Sequence, residues 1–193
     1  MIVPNASPVT SVADFIKYAK GNRGKISYAS AGHGTSPHLC GELFKRMTGI
    51  EMTHVPYRTG AQQDLVAGHV DVMFAVAPFE LLRGGHARGL AVTTARRVPA
   101  APDLPTMAES GLADFDVAPW WGLFLPAKTA PDVVARLHSD TIAVLAEPAL
   151  QKRMRDLGST TIGSTPEDLA RYLQAEMAKW GPVIRDANIR LDG

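Results

Sequence analysis

The most constraining feature is a repeated order of segments over the first ~115 residues. A short apolar run is followed by a Gly- or Pro-marked turn and then by a helical pattern. Ile26-Ser-Tyr-Ala-Ser30 leads through Gly32 and Gly34 to Pro37 and the helical spacing of Leu39, Leu43, Phe44 and Met47. Met52-Thr-His-Val-Pro-Tyr57 leads through Arg58-Thr-Gly60 to a short helix from Gln62 to Ala67, ended by Gly68. Val70-Asp-Val-Met-Phe-Ala-Val76 reads as a strand buried on both faces, Pro78 opens a helical turn, and Gly89-Leu-Ala-Val-Thr-Thr94 is a further strand. Strands alternating with helices predict an α/β unit with a mostly parallel sheet and helical layers.

Local signals set the other boundaries. Val3 to Pro8 is extended, Ser11 caps a helix, and Asp14 can reach back as a shortened capping box. Thr106 with Glu109 predicts a short capped helix, and Phe115 to Leu125 is extended and aromatic. In that stretch Trp120 and Trp121 are expected to pack in a core, one of the adjacent pair pointing the other way. After Pro126 the pattern is helical. Thr129 is expected to cap a first helix, Leu150, Met154 and Leu157 mark a second, and Thr165-Pro-Glu-Asp opens a third. Leu169, Tyr172, Leu173, Trp180 and Ile184 are expected to face inward on that last helix, with a kink at Gly181-Pro182. The expected division is 1–117, an α/β lobe, and 118–193, a strand plus helices.

Charge and composition exclude several classes. Lys+Arg is 20 against 19 Asp+Glu, which gives no broad footprint for nucleic acid. The single Cys40 permits no internal disulfide and no Cys-rich zinc site. Apolar runs fall far short of the ~18 residues of a membrane span, and the first residues carry no basic or apolar leader pattern.

Three segments are candidates for chemistry. In Tyr28-Ala-Ser-Ala-Gly-His-Gly-Thr-Ser-Pro-His38 a strand feeds a Gly-rich turn and a helix N-terminus, which offers free N–H groups to a carboxylate or phosphate. Gly32 and Gly34 admit close approach, and Ser30, Thr35 and Ser36 add hydroxyls. The same residues also read as a shaped turn with a Thr35 or Ser36 cap. In Val55-Pro-Tyr-Arg-Thr-Gly60, Arg58 can pair with a carboxylate while Thr59 and Gly60 present N–H groups, or Arg58 is simply solvated. Asp71, an acid in an apolar strand, needs partners and is expected to accept from backbone N–H groups or to brace the Arg58 loop. A hydrolase with Ser30 as nucleophile and His38 as base lacks a Gly-x-Ser-x-Gly elbow. His33 and His38, five residues apart with no carboxylate beside them, predict no metal site, and no cofactor is expected.

The ordered set of motifs resembles a known family. It runs from Tyr28 to Phe44 as quoted, through His54-Val-Pro-Tyr-Arg58, Asp64-Leu, Gly68-His-Val-Asp-Val-Met-Phe74 and Gly89-Leu-Ala-Val-Thr93. It continues with Leu104-Pro-Thr-Met-Ala-Glu-Ser-Gly111, Trp121-Gly-Leu-Phe, Pro126-Ala-Lys-Thr-Ala-Pro131 and Lys179-Trp180. The chain is similar to the substrate-binding receptors of tripartite tricarboxylate transporters, the Bug proteins. That resemblance implies a periplasmic-binding-protein-like fold of type II, a Venus flytrap closing on a small carboxylated solute, a periplasmic location and membrane transporter subunits as partners. It implies no catalysis. It assigns ligand binding to Ser30, Gly32, Gly34 and Thr35 on the first loop and to Tyr57, Arg58, Thr59 and Gly60 on the second. Asp71, Phe74 and Ala75 line or support the cleft. Against the family pattern, a leader and the first-lobe segment with its Pro-Gly-Gly loop are expected to be missing. The stretches after Tyr57 and Phe74 are a residue or two short. The apolar face thus left open predicts a homodimer or strand exchange.

Overall fold

Adjacent residues of the strands bury their side chains on opposite faces of one sheet, and this alternation sorts the core into two clusters. The computed structural model describes residues 1–190. Its strands are β1 (Ile2–Pro4), β2 (Ser27–Ser30), β3 (Thr53–Pro56), β4 (Val72–Met73) and β5 (Ala87–Gly89), in the order β3-β2-β4-β1-β5. Val3, Tyr28 and Val72 fall in one cluster, with Phe15, Phe44, Phe74 and Phe115. Their neighbours Ile2, Ala29 and Met73 fall in the other, with Leu65, Val70 and Ala87. A period of two along each strand produces this split. Helices α1 (Val12–Gly21) and α2 (Ser36–Thr48) bring Phe15 and Phe44 to the first face. Helices α3 (Ala61–Val66) and α4 (Phe79–Arg83) bring Leu65, Leu81 and Leu82 to the second.

The sheet is mostly parallel in strand direction. β2 pairs parallel with β3 and β4, and β1 pairs antiparallel with β4 and β5, so β5 runs with the other three. The opening segment, expected only as extended chain, supplies the reversed strand. Two strand limits differ from the sequence reading. β4 is confined to Val72–Met73, and β5 ends at Gly89 where 89–94 was expected, although Val92 bridges Thr106 beyond it. Leu104 packs so close to Gly89 that a Cβ there would stand 2.7 Å from Leu104 Cδ1, and the chain after β5 meets the 104–106 segment at the Val92–Thr106 bridge.

Several caps sit where the sequence places them. The Ser11 Oγ accepts from the Asp14 amide, and Gly49 closes α2 with φ +68°. Asp14 itself reaches Thr10, accepting from its hydroxyl at 2.9 Å. Thr106 and Glu109 form a reciprocal box, each amide donating to the other's side chain at 2.7 and 3.0 Å, but around a turn and not a helix.

The chain divides into two units: Met1–Pro119 with the segment from Trp180 onward, and Trp120–Lys179. The second holds α5 (Pro131–Leu145), α6 (Pro148–Asp156) and the start of α7 (Pro166–Asp186). Ala130, not Thr129, is the N-cap of α5, because the Thr129 hydroxyl turns back to the Pro126 carbonyl. Helix α7 continues through Gly181 and Pro182 to Asp186. The inward apolar stripe expected of these helices is not covered: no residue of α5 or α6 is buried, and in α7 only Val183 is. Trp120 packs edge-on to Tyr172 at 5.3 Å, whereas Trp121 is 76% exposed. Among the described residues no helix is long and apolar enough to cross a membrane.

Candidate functional site

Parallel pairing brings the carboxyl ends of β2 and β3 side by side, with Ser30 opposite Pro56. The loops that leave these ends are tied at their origin, since the Tyr57 amide donates to the Ser30 carbonyl at 3.0 Å. Open α/β sheets bind ligands at this edge, beyond the carboxyl ends of the strands. A groove of about 220 Å³ lies there, lined by Ala31, Tyr57, Arg58, Thr59, Gly60 and Met73 among others. Gly60 adopts φ +86°, which turns the chain from Thr59 into α3. Arg58 is exposed and has no ion-pair or hydrogen-bond partner among the described residues. The Tyr57 hydroxyl is committed to Asp64, to which it donates at 2.8 Å.

The first loop is shaped from within. Ser30 is fully buried. Its Oγ accepts from the Gly32 amide at 3.0 Å and lies 3.1 Å from the Gly32 carbonyl and 2.6 Å from His54 Nε2. The Thr35 hydroxyl donates to the same Gly32 carbonyl at 2.8 Å. Gly34 donates its amide to His38 Nδ1 at 3.0 Å. Ser30, Gly32, Gly34 and Thr35 therefore spend these groups on holding the turn, with Gly32 at φ +121° and Gly34 at φ +71°. The sequence reading has Ser30 and Thr35 add hydroxyl donors for a ligand; here Ser30 is buried and both hydroxyls lie within hydrogen-bond distance of the Gly32 carbonyl. The amides of Ala31, His33 and Ser36 have no acceptor among the described residues.

Asp71 belongs to the opposite edge. Its carboxylate accepts from the Ser27 amide and hydroxyl, both at 2.8 Å. Ser27 begins β2 and Ser30 ends it, so Asp71 lies about 10 Å from the loops at 3.3 Å per residue. It does not line the groove; it satisfies the half-buried start of β2, in keeping with the expectation that it accepts from backbone N–H groups. Phe74 is a core residue, in ring contact with Tyr28 at 6.3 Å and Phe44 at 5.5 Å. Ala75 is half-buried and packs against the second cluster.

The residue that sequence reasoning missed is His54. It stands opposite Tyr28 in the β2–β3 register, and its ring stacks on those of both Tyr28, at 4.9 Å, and His38, at 3.8 Å. Burial and the neighbouring His38 ring lower its pKa from 6.5 to about 4, and burial lowers that of His38 too. Both rings are thus neutral at pH 7. The hydrolase pairing of Ser30 with His38 is not formed, since the ring beside Ser30 Oγ is His54. Ser30 itself is closed to any substrate.

The family model for tripartite tricarboxylate transporter family receptors matches residues 1–189. The chain belongs to this family. It is 38% identical over 189 residues to a UPF0065 protein encoded in the tcbD-tcbE intergenic region of Pseudomonas sp. (strain P51), covering 95% of this chain and 56% of that protein. Among solved structures it resembles R. palustris Rpa4515 with adipate at 38% identity and a TM-score of 0.82, over 97% of this chain and 64% of the other. It also resembles the periplasmic binding protein BugD at 32% identity and a TM-score of 0.81, over 98% and 65%. The family is one of receptors and not of enzymes, and the fold is that of periplasmic binding proteins. The chain spans a little over half the length of the curated relative and about two thirds of each structural neighbour.

Proposed function

We propose that this chain is part of a periplasmic solute receptor that holds a small carboxylate on backbone N–H groups at the loops after β2 and β3, and that residues 1–117 are its second ligand-binding lobe. The observation that carries the reading is the tie between these loops: the Tyr57 amide on the Ser30 carbonyl places Ala31, Arg58, Thr59 and Gly60 around one groove. Arg58 supplies the one guanidinium there, and the start of α2 adds its partial positive charge. The structural neighbour that carries adipate supports a dicarboxylate as the solute class, and membership of a transporter receptor family supports membrane transporter subunits as partners. The uncovered strip at Trp121, Leu123 and Phe124 supports self-association through a second copy.

Calorimetry with adipate, citrate and glutamate tests the reading. One of them is expected to give saturable binding in the millimolar range, because a carboxylate hydrogen bond on an open groove nets only about 0.5–1.5 kcal/mol. Arg58→Ala is expected to weaken that binding by roughly tenfold, as loss of one charge-assisted bond does. No saturable heat with any carboxylate, or an unchanged affinity in Arg58→Ala, contradicts it.

A further inference from the structure

The fold gathers three imidazoles that the sequence keeps apart. His33 comes from the Gly-rich loop, His38 from the first turn of α2 and His54 from β3. One ring nitrogen of each lies within 4.8 Å of the other two. The rings of His38 and His54 are stacked 3.8 Å apart and 7° from parallel, and His33 stands edge-on to them at 5.4 and 5.0 Å. A cavity of about 820 Å³ opens onto the cluster and is also lined by Glu42, Lys45 and Arg46.

We propose that His33, His38 and His54 form a three-imidazole site for a divalent transition metal, Zn²⁺ foremost, distinct from the carboxylate groove. Three nitrogen donors suit Zn²⁺, Ni²⁺ and Cu²⁺ and do not suit Mg²⁺ or Ca²⁺, which take oxygen ligands. Zn–N bonds are about 2.0–2.1 Å long, so the cluster must draw together to close on one ion. His33 is the ring able to make that movement. It is exposed and has no hydrogen-bond partner among the described residues. The other two rings are held by groups outside the cluster, His54 by Ser30 Oγ at 2.6 Å and His38 by the Gly34 amide at 3.0 Å. Ser30 Oγ can take the Nε2–H of His54, as outer partners of metal-ligating imidazoles do, whereas the Gly34 amide donates into His38. Here the Gly34 amide also occupies Nδ1 of His38, so the ion competes with an internal bond. The expected affinity is accordingly low micromolar and not that of a structural zinc site. The fourth position of a tetrahedral ion is left to solvent in the cavity.

Spacing alone argued against this site, because His33 and His38 are five residues apart and His54 sits in another strand. The correction comes from the parallel pairing of β2 with β3, which sets His54 against the β2–α2 connection.

The test is a zinc titration of the untagged 193-residue chain in competition with a chromophoric chelator, with Co²⁺ absorption as a second probe. The expected result is a single Zn²⁺ per chain and a visible Co²⁺ spectrum of low coordination number. His33→Ala is expected to weaken zinc binding at least ~10-fold and to abolish that spectrum while leaving the circular dichroism unchanged. The double variant His69→Ala/His86→Ala, at two exposed imidazoles outside the cluster, is expected to bind zinc as the parent does. The proposal is overturned if the parent chain binds zinc no better than His33→Ala, or if the double variant loses as much.

Discussion

Phe44→Ala is expected to lower stability by about 3–5 kcal/mol, read as a shift of the urea midpoint at unchanged slope. Phe44 is fully buried, and its ring meets three others: Phe74 at 5.5 Å, Phe15 at 6.1 Å and Phe115 at 6.3 Å. These partners come from α1, from the end of β4 and from the segment before Pro119, so the ring joins four parts of the chain. Each partner is itself buried and braced, which prevents collapse into the space left behind. Phe44→Leu keeps most of the volume and is expected to cost less than half as much. A loss below about 1 kcal/mol for the alanine variant would contradict the packing described here.

Gly41→Ala carries the second large effect, through crowding instead of a void. A Cβ at Gly41 would stand 2.3 Å from Cε2 of Tyr28 and 2.8 Å from its Cζ. The Tyr28 ring has nowhere to go. It is fully buried, stacked on His54, and its hydroxyl donates to Glu42 Oε1 at 2.6 Å. Helix α2 must therefore lift from β2, at an expected cost of about 2–3 kcal/mol. Since α2 carries His38, the Gly34–His38 bond that shapes the first loop is expected to weaken as well. A Tyr28→Leu/Gly41→Ala double variant is expected to recover part of the loss, because the shorter side chain relieves the contact. Equal midpoints for Gly41→Ala and the parent chain would show that the helix does not lie on Tyr28.

The layered fold was legible because its signals are local. Alternation within Tyr28-Ala29 and Val72-Met73, the Ser11 cap and the left-handed Gly49 each need only a few neighbouring residues. The Gly-rich loop was legible as a turn for the same reason. Its inner bonding was not, since the Ser30 and Thr35 hydroxyls meet at the Gly32 carbonyl in a loop whose two glycines take positive φ. Asp71 accepts from a backbone N–H as expected, but its place away from the cleft was not legible, because an acid in a strand does not announce which end of the neighbouring strand it reaches. Strand register decides that, and Ser27 is the answer. His54 was passed over because its partners lie on β2 and α2, 26 and 16 residues away by number, and nothing in its own segment marks it. The apolar stripes of α5 to α7 were expected to face inward, but among the described residues Val183 alone of these helices is buried, because periodicity gives a stripe and not what it packs on.

The most direct measurement is a backbone amide titration with adipate by two-dimensional NMR on the assigned chain. The account predicts shifts concentrated at Ala31, His33, Thr59 and Gly60, with Ser27 and Asp71 unmoved at the other edge of the sheet. Saturating adipate that leaves those four amides in place, or that moves the Ser27–Asp71 edge or the α5–α6 surface instead, would contradict it.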